Sequence, residues 1–230
     1  MKFGNATAMN DLKPTVEESG FAIVSSCLNE GTVERLRVNL DETKHAQRNL
    51  LSVPIVRELA KSKSVREIVT AILGPNCFAV KGILFNKTRE SNWKVVWHQD
   101  LTIPVRDRRE IAGFGNWTKK AGIPHVQPPP EIMSRILAIR LHLDDSGADN
   151  GPLRVISSSH KEGRLSVQQI ANWQRSHYVT CIIPKGGALL MRPLVLHASS
   201  SCNVPRQRRV IHLEFAAEDL PRGLEWHDRV

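Results

Sequence analysis

Two stretches of the chain carry apolar residues at helical spacing. They cover residues 32–43 and 52–73, where apolar side chains recur every three or four positions. Pro54 suits the first turn of the second helix, and the Gly-Pro-Asn sequence at 74–76 ends it. Because each helix has an apolar face, we expect both helices to pack against the outside of a sheet.

Most of the remaining chain consists of short apolar runs, typical of β-strands, separated by turn signals. The run at 135–145 alternates, so His142 faces away from the leucines, either into a cavity or simply as a polar strand residue. The predicted strands lie within residues 20–28, 77–87, 135–145, 178–184, 188–191, 195–197 and 209–217. With a short helix at 165–174, this pattern predicts a mainly β fold with peripheral α-helices.

Residues 101–134 form the longest stretch without periodicity, and they directly follow a His-x-Asp motif. Irregular segments this long are usually either functional or disordered. We therefore interpret 101–134 as a substrate loop or lid. Its candidates for substrate contacts are Trp117, Lys119, His125 and Gln127. His125 is not taken as a metal ligand, because the prolines around it indicate extended loop.

Composition is that of one soluble domain. A chain of 230 residues, 41% apolar and 24% charged, can bury a substantial core, and we treat 1–230 as a single domain. No apolar run is long enough to span a bilayer, and the N-terminal sequence lacks a signal-peptide core, which predicts a cytoplasmic protein without a membrane segment. The four cysteines have no metal-binding spacing and are expected to be reduced and mostly buried.

The net charge of +9 points to anionic partners. Nucleic acid is one such class. The basic residues are dispersed, however, apart from clusters at 106–109 and 206–209, and one Tyr and six Phe provide no evident stacking platform. A small anionic substrate, or simply a solvated basic surface, is therefore the preferred interpretation, and nucleic acid is disfavoured.

His98 and Asp100 are separated by one residue within a strand-like sequence. Residues i and i+2 of a strand point to the same face, so the imidazole and the carboxylate converge. Taken alone the motif is common, and a His and an Asp that merely hydrogen-bond each other would explain it. A metal site needs a third ligand, for which His197 is the candidate. Two histidines and one carboxylate are the ligand set of non-haem Fe(II) oxygenases.

Two features that follow His197 support this interpretation. Arg208 and Arg209 lie eleven and twelve residues later, at the start of the last apolar run. A guanidinium there can bind a carboxylate through two hydrogen bonds, and 2-oxoglutarate, the co-substrate of such oxygenases, has a distal carboxylate to anchor. Ser199 has a hydroxyl that can donate to the same group. Adjacent strand residues point oppositely, so which Arg faces inward stays ambiguous on strand alternation alone.

These motifs, in this order and spacing, resemble the phytanoyl-CoA dioxygenase family of Fe(II)- and 2-oxoglutarate-dependent oxygenases. The resemblance extends from about Gly20 to about Ala217. This chain departs from the family at Ser157-Ser158, where members often have Pro-Gly, which changes a turn but no ligand. The residues that carry the resemblance are His98-Gln99-Asp100, the Asn150–Ser166 segment with its NGPL and SSSHK sequences, His197, Ser199 and Arg208.

The resemblance implies a double-stranded β-helix, or jelly roll, with Fe(II) held by His98, Asp100 and His197. It also implies 2-oxoglutarate and O2 as co-substrates, with ascorbate supportive, and oxidation of an unactivated C–H bond of a small molecule with release of succinate and CO2. The family spacing selects Arg208 for 2-oxoglutarate, with Arg209 as the alternative. Related halogenases lack the carboxylate ligand, so Asp100 favours hydroxylation.

In the family, a lysine from the region of 77–87 can help to bind 2-oxoglutarate. Lys81 and Lys87 are both in this region, although each alone is interpreted as a surface lysine. Two other functions stay open. The basic charge motivates a nucleic-acid demethylase of the wider superfamily, and a jelly roll with a vestigial triad would be a non-catalytic binding module.

Overall fold

The computed structural model of the chain describes residues 2–40, 45–202 and 206–230, and all structural statements below refer to them. The α-helices are α1 Leu12–Ser19, α2 Glu30–Asn39, α3 Pro54–Lys61, α4 Lys63–Leu73, α5 Pro130–Ser134 and α6 Val167–Trp173. The strands are β1 Lys2–Phe3, β2 Phe21–Val24, β3 Ala46–Arg48, β4 Phe78–Lys87, β5 Val95–His98, β6 Ile103–Pro104, β7 Gly115–Lys120, β8 Ile123–Gln127, β9 Leu137–His142, β10 Leu153–Ile156, β11 Val179–Cys181, β12 Ala188–Met191, β13 Leu196–Ser199 and β14 Arg208–Ala216. Short 3-10 turns occupy Met9–Asp11, Leu50–Ser52, Ser159–Glu162 and Pro221–Gly223.

Two large sheets form the centre of the fold. The six-stranded sheet has the order β2-β12-β9-β14-β4-β3, and the five-stranded sheet has the order β1-β11-β10-β13-β5. From β9 onward the chain passes back and forth between them, which is the winding of a double-stranded β-helix. Apolar side chains from both sheets, such as Val155 and Leu189, pack together between them. The predicted mainly β jelly roll is confirmed, although the described strands do not close into a barrel.

Helices α1 to α4 pack on the outer face of the six-stranded sheet, as expected. Alternate residues of β14, namely Ile211, Leu213 and Phe215, are completely buried in the core shared with these helices. The intervening residues of β14 therefore face the other sheet. This alternation decides which side chains of β14 reach the interior between the sheets.

The predicted helices need adjustment at their boundaries. Helix α2 begins earlier than predicted, where the Asn29 side chain accepts a hydrogen bond from Thr32 N, and residues 41–43 of the prediction lie outside the described residues. Pro54 starts α3 as expected. The region 52–73 contains two helices and not one, because Ser62 adopts extended backbone geometry with ψ 149°.

The prediction that residues 101–134 are irregular is wrong. Strands β6, β7 and β8 form a separate three-stranded antiparallel sheet, and α5 follows. Strand β7 has the polar sequence GNWTKK and β8 contains Pro124, so neither shows the apolar alternation by which strands are recognised. The sheet packs through Ile103 and Val126 against the C-terminal segment near Trp226.

Within the described ranges, no α-helix combines the length and the apolar character needed to cross a lipid bilayer. The four cysteines are free, and three of them are buried, as predicted.

Candidate active site

Two neighbouring strands of the five-stranded sheet bring the three predicted metal ligands together. His98 ends β5, Asp100 lies two residues further on, and His197 is in β13. His197 pairs directly opposite His98, and their ring centroids are 4.2 Å apart. Candidate ligand atoms of all three residues lie within 4.8 Å of one another.

The backbone orients both imidazole rings. Nδ1 of His98 lies 2.9 Å from the carbonyl oxygen of Val96, and Nδ1 of His197 lies 2.9 Å from that of Val195. A neutral imidazole that donates from Nδ1 keeps a free lone pair on Nε2. Nε2 of His197 is 3.7 Å from Oδ2 of Asp100. Both rings thus meet the usual geometric requirement of metal-binding histidines, in which the other ring nitrogen is fixed by a hydrogen bond.

The protonation states of the cluster also suit a metal. Burial lowers the pKa of His197 to about 3, against the opposing effect of Asp100, so its imidazole is neutral at pH 7. Burial alone would raise the pKa of Asp100, but the charges of His197, once it is protonated at low pH, and of Lys81 lower this pKa below its ordinary value, so the carboxylate is ionised at pH 7. Imidazole nitrogen and carboxylate oxygen without thiolate form a donor set that fits Fe(II).

A cavity of about 100 Å³ adjoins the cluster, between the two sheets. Its walls include the inward residues of β4, which are Lys81, Ile83, Phe85 and Lys87. Leu153 of β10 lies on the opposite sheet. The cavity therefore joins a candidate metal centre on one sheet to the two inward lysines of β4 on the other.

One end of the cavity holds three buried polar side chains. Arg208 of β14 pairs opposite Lys87 of β4, and Ser199 of β13 lies across from them. Arg208, Lys87 and Ser199 are 5%, 2% and 3% exposed. Lys87 Nζ lies 3.4 Å from Ser199 Oγ and donates to the carbonyl oxygen of Ser200 at 2.8 Å. In the part of the chain that the structure describes, no carboxylate pairs with Arg208 or Lys87.

The adjacent Arg209 points to the other face of the same strand. Its Nε donates to Asp144 Oδ2 at 2.8 Å, and a terminal nitrogen donates to Oδ1 at 2.9 Å. Strand alternation thus places Arg208 in the cavity and gives Arg209 an ion pair outside it. The arrangement favours Arg208 over Arg209 for the co-substrate.

The interpretation of Lys81 and Lys87 as surface lysines is wrong. Both line the cavity, and the side chain of Lys81 is only 10% exposed. Burial, together with the charge of Arg208, lowers the pKa of Lys87 to about 8. Lysine is a residue type usually found at the surface, but the alternation of side chains along β4 directs both Lys81 and Lys87 inward.

Gly151, in the NGPL sequence, makes room for this end of the cavity. Its φ is +59°, a conformation that favours glycine. A Cβ atom at this position would lie 2.5 Å from the carbonyl oxygen of Ser200 and 3.4 Å from Lys87 Nζ. Glycine therefore permits the close approach that positions the Lys87 ammonium.

A second group of potential metal ligands lies next to the first. Ligand atoms of Asp100, His212 and Glu214 also fall within 4.8 Å of one another. The ammonium of Lys81 donates to Glu214 Oε1 at 2.7 Å, however, and His212 Nε2 lies 3.1 Å from the same oxygen. Arg140 is 3.3 Å from His212 Nδ1. Because Lys81 already provides the positive charge here, the geometry favours one metal centre and not two.

Sequence reasoning did not assign Arg140, His212 or Glu214 to the site. All three are polar residues within long apolar runs, and a polar residue at a buried strand position is the signal that could have identified them. His212 and Glu214 lie on the same face of β14 as Arg208, at alternate positions, and Arg140 of β9 pairs opposite His212. The predicted His142 is buried but is not a wall residue of the cavity.

None of the four predicted substrate-contact residues lines the metal cavity. Trp117 is partly buried beneath the Arg108 guanidinium, and Lys119 is exposed. Gln127 is buried and accepts a hydrogen bond from Asn116. His125 lies on a strand, and not in an extended loop, and borders a separate small pocket next to the cavity.

Two sheets wound as a double-stranded β-helix, with two histidines and a carboxylate facing the space between them, define a jelly roll with a candidate mononuclear metal centre. The family model for phytanoyl-CoA dioxygenase (PhyH) matches residues 32–210, and the chain belongs to this family. No curated protein sequence matches the chain significantly.

Solved structures have the same fold. HygX from Streptomyces hygroscopicus, with nickel and 2-oxoglutarate bound, is 14% identical over 91% of this chain and 87% of its own, with a TM-score of 0.66. SnoK, a non-haem α-ketoglutarate-dependent carbocyclase from nogalamycin biosynthesis, is 13% identical over 94% and 88%, with a TM-score of 0.70. AviO1 from Streptomyces viridochromogenes Tue57 is 18% identical over 95% and 98%, with a TM-score of 0.67.

Proposed function

We propose that this chain is an Fe(II)- and 2-oxoglutarate-dependent dioxygenase that oxidises an unactivated C–H bond of a small-molecule substrate. The observation that carries the proposal is the convergence of His98, Asp100 and His197 on a cavity that also holds Arg208 and Lys87. The nickel and 2-oxoglutarate in HygX and the α-ketoglutarate dependence of SnoK support it.

Each group of residues has a distinct role in this proposal. His98, Asp100 and His197 would hold the metal through two nitrogens and one oxygen, a ligand set that leaves positions for other ligands. Bound Fe(II) supplies the O2 chemistry that couples decarboxylation of 2-oxoglutarate, with release of succinate and CO2, to oxidation of the substrate. Arg208 and Lys87 bind the distal carboxylate of 2-oxoglutarate.

The side chains around these groups prepare them for binding. Ser199 donates its hydroxyl to the same carboxylate, and it is held 3.4 Å from Lys87 Nζ. Ile83, Phe85 and Leu153 give the cavity apolar walls that exclude water and strengthen the charge pairing within it. The distal carboxylate of the co-substrate would offset part of the positive charge at this end of the cavity.

The decisive experiment measures succinate formed from 2-oxoglutarate by anaerobically purified protein, given Fe(II), ascorbate and air, with and without a chelator. We expect slow succinate formation that the chelator abolishes. The Asp100→Ala variant removes the anionic ligand and should lower the rate at least about a hundredfold, with an unchanged circular dichroism spectrum. Equal succinate formation by the folded variant and the unmodified protein would refute the metal assignment.

A further inference from the structure

A small pocket beside the metal cavity is lined by three cationic side chains. They are Arg48 of β3, Lys81 of β4 and Lys120 of β7. Lys81 and Ile83 line both the pocket and the metal cavity, so the two spaces lie side by side. Arg48 pairs opposite Ile83 on the edge strand of the six-stranded sheet, which places it at the margin of the cavity.

Two of these three cations have no acidic partner. Lys81 is paired with Glu214, but in the described parts of the chain no carboxylate lies within ion-pairing distance of Arg48 or Lys120. Lys120 Nζ donates to the hydroxyl of Thr102 at 2.8 Å. Asp228, which also borders the pocket, pairs with neither cation. Burial and the charges of Lys81 and Arg48 lower the pKa of Lys120, so the cations repel one another. An anion in the pocket would relieve this repulsion.

The proposed co-substrate cannot be this anion. Lys87 pairs opposite Arg208 at the start of β14, whereas Arg48 pairs opposite Ile83, four residues from Lys87 along β4. At about 3.4 Å per residue, these two rows are about 14 Å apart along the strand. The five-carbon chain of 2-oxoglutarate extends only about 6 Å at about 1.5 Å per bond. A 2-oxoglutarate that joins the metal to Arg208 therefore leaves Arg48 and Lys120 unneutralised.

We infer that Arg48 and Lys120 bind an anionic group of the primary substrate, a carboxylate, phosphate or sulfate, and so hold the adjoining carbon chain near the candidate metal centre. This inference rests on the proposed function. Lys120 and Thr102 come from the segment 101–134, so this segment contributes to substrate recognition. Of the four residues predicted from the sequence, His125 also borders the pocket. The net charge of +9 adds long-range attraction for such a substrate.

Sulfate is a suitable probe for the pocket, because it has the shared chemistry of these anions. Calorimetry without O2 first measures 2-oxoglutarate binding to the Fe(II)-loaded protein, and then sulfate binding to the protein loaded with both. Sodium chloride at matched ionic strength is the blank. We expect saturable sulfate binding, with a dissociation constant raised about tenfold in Lys120→Gln and in Arg48→Gln through loss of one charge-assisted contact.

Lys94→Gln is the charge-matched control. Lys94 is exposed and close in sequence to Trp93 and Val95 of the cavity wall, but it borders neither space. Its removal should leave sulfate binding unchanged. Saturable 2-oxoglutarate binding without saturable sulfate binding, or with equal sulfate affinity in all variants, would overturn this inference alone. Failure of the Fe(II)-loaded protein to bind 2-oxoglutarate would overturn the proposed function and this inference with it.

Discussion

Arg208 and Arg209 are adjacent residues, but substitution of each should affect a different property. Arg208 lines the cavity without a described carboxylate partner, whereas Arg209 forms a two-point ion pair with Asp144. We predict that Arg208→Ala raises the KM for 2-oxoglutarate at least about tenfold, since a charge-assisted contact is lost. Arg209→Ala should leave this KM within about twofold but lower the free energy of unfolding by about 2 kcal/mol, because Asp144 loses a two-point ion pair although it keeps its contact with Arg37.

Succinate assays and urea unfolding of the same two variants test this prediction. The assay reports KM, and the unfolding curve reports stability, so each variant is the control for the other. A raised KM in Arg209→Ala with unchanged KM in Arg208→Ala would mean that the two side chains face the opposite way on β14.

Lys87 should make co-substrate binding dependent on pH. Burial and Arg208 lower its pKa to about 8 in the free protein. The nearby carboxylate of bound 2-oxoglutarate favours the ammonium form, so binding raises this pKa. Affinity for 2-oxoglutarate should therefore be complete below pH 8 and fall as the pH rises above 8.

Calorimetric titration of the Ni(II)-loaded protein with 2-oxoglutarate, from about pH 6.5 to about pH 9.5, measures this dependence. The Lys87→Gln variant should bind more weakly at pH 7 and should lose most of the decline above pH 8. A decline of equal size in the variant would assign the pH dependence to another group.

The elements of the fold differ in how well the sequence predicts them. Strands β4 and β14 are rich in β-branched residues and were predicted almost to their ends. Strands β3 and β7 are polar, and packing and strand pairing, not intrinsic pattern, stabilise them. Helix α1 was also not predicted, because few of its residues are apolar. Local pattern therefore identifies elements with an apolar face and misses those defined by their neighbours.

The same distinction applies to the candidate site. His98 and Asp100 were found because their relation is local, two positions along one chain. The placement of Lys87 opposite Arg208 depends on the register between β4 and β14, which are more than a hundred residues apart in sequence. No local pattern fixes this register, so the sequence led to Lys87, like Lys81, being interpreted as a surface lysine.

The turn between β7 and β8 contains a residue, Ala121, whose substitution should stabilise the protein. Its two turn residues, Ala121 and Gly122, both have positive φ, of +50° and +83°. Such turns favour Asn-Gly, and a left-handed conformation at a non-glycine residue costs about 1 kcal/mol. We predict that Ala121→Asn raises the free energy of unfolding by about 0.5 kcal/mol or more, measured by urea denaturation.

Ala121→Val is the matched control for this hairpin. A β-branched side chain is disfavoured at positive φ, so this variant should unfold more easily than the unmodified protein. If the Asn and Val variants were equally stable, the turn conformation would not limit the stability of the chain.

On the scale of the whole molecule, the proposed ligands connect the two sheets. His98 and His197 lie on the five-stranded sheet, whereas Arg208 and Lys87 lie on the six-stranded sheet. A metal and 2-oxoglutarate bound together would therefore bridge sheets that the described strands do not close into a barrel. Ligands that bind only the folded state stabilise it by about 2.7 kcal/mol at a hundred times their Kd.

We accordingly predict that Ni(II) at about a hundred times its Kd raises the Tm by roughly 5–10 °C, given about 2–4 °C per kcal/mol for a chain of this size, and that 2-oxoglutarate added at a similar excess, in the absence of O2, raises it further by a similar amount. Scanning calorimetry with Ni(II) alone, 2-oxoglutarate alone and both separates the contributions. Arg208→Ala should keep the rise in Tm caused by Ni(II), because its metal ligands are intact. It should lose the further rise in Tm caused by 2-oxoglutarate, because the proposed carboxylate contact is removed. If 2-oxoglutarate gave the Ni(II)-loaded unmodified protein no further increment, the cavity would not be a co-substrate site, and a non-catalytic binding module would be the better account of this fold.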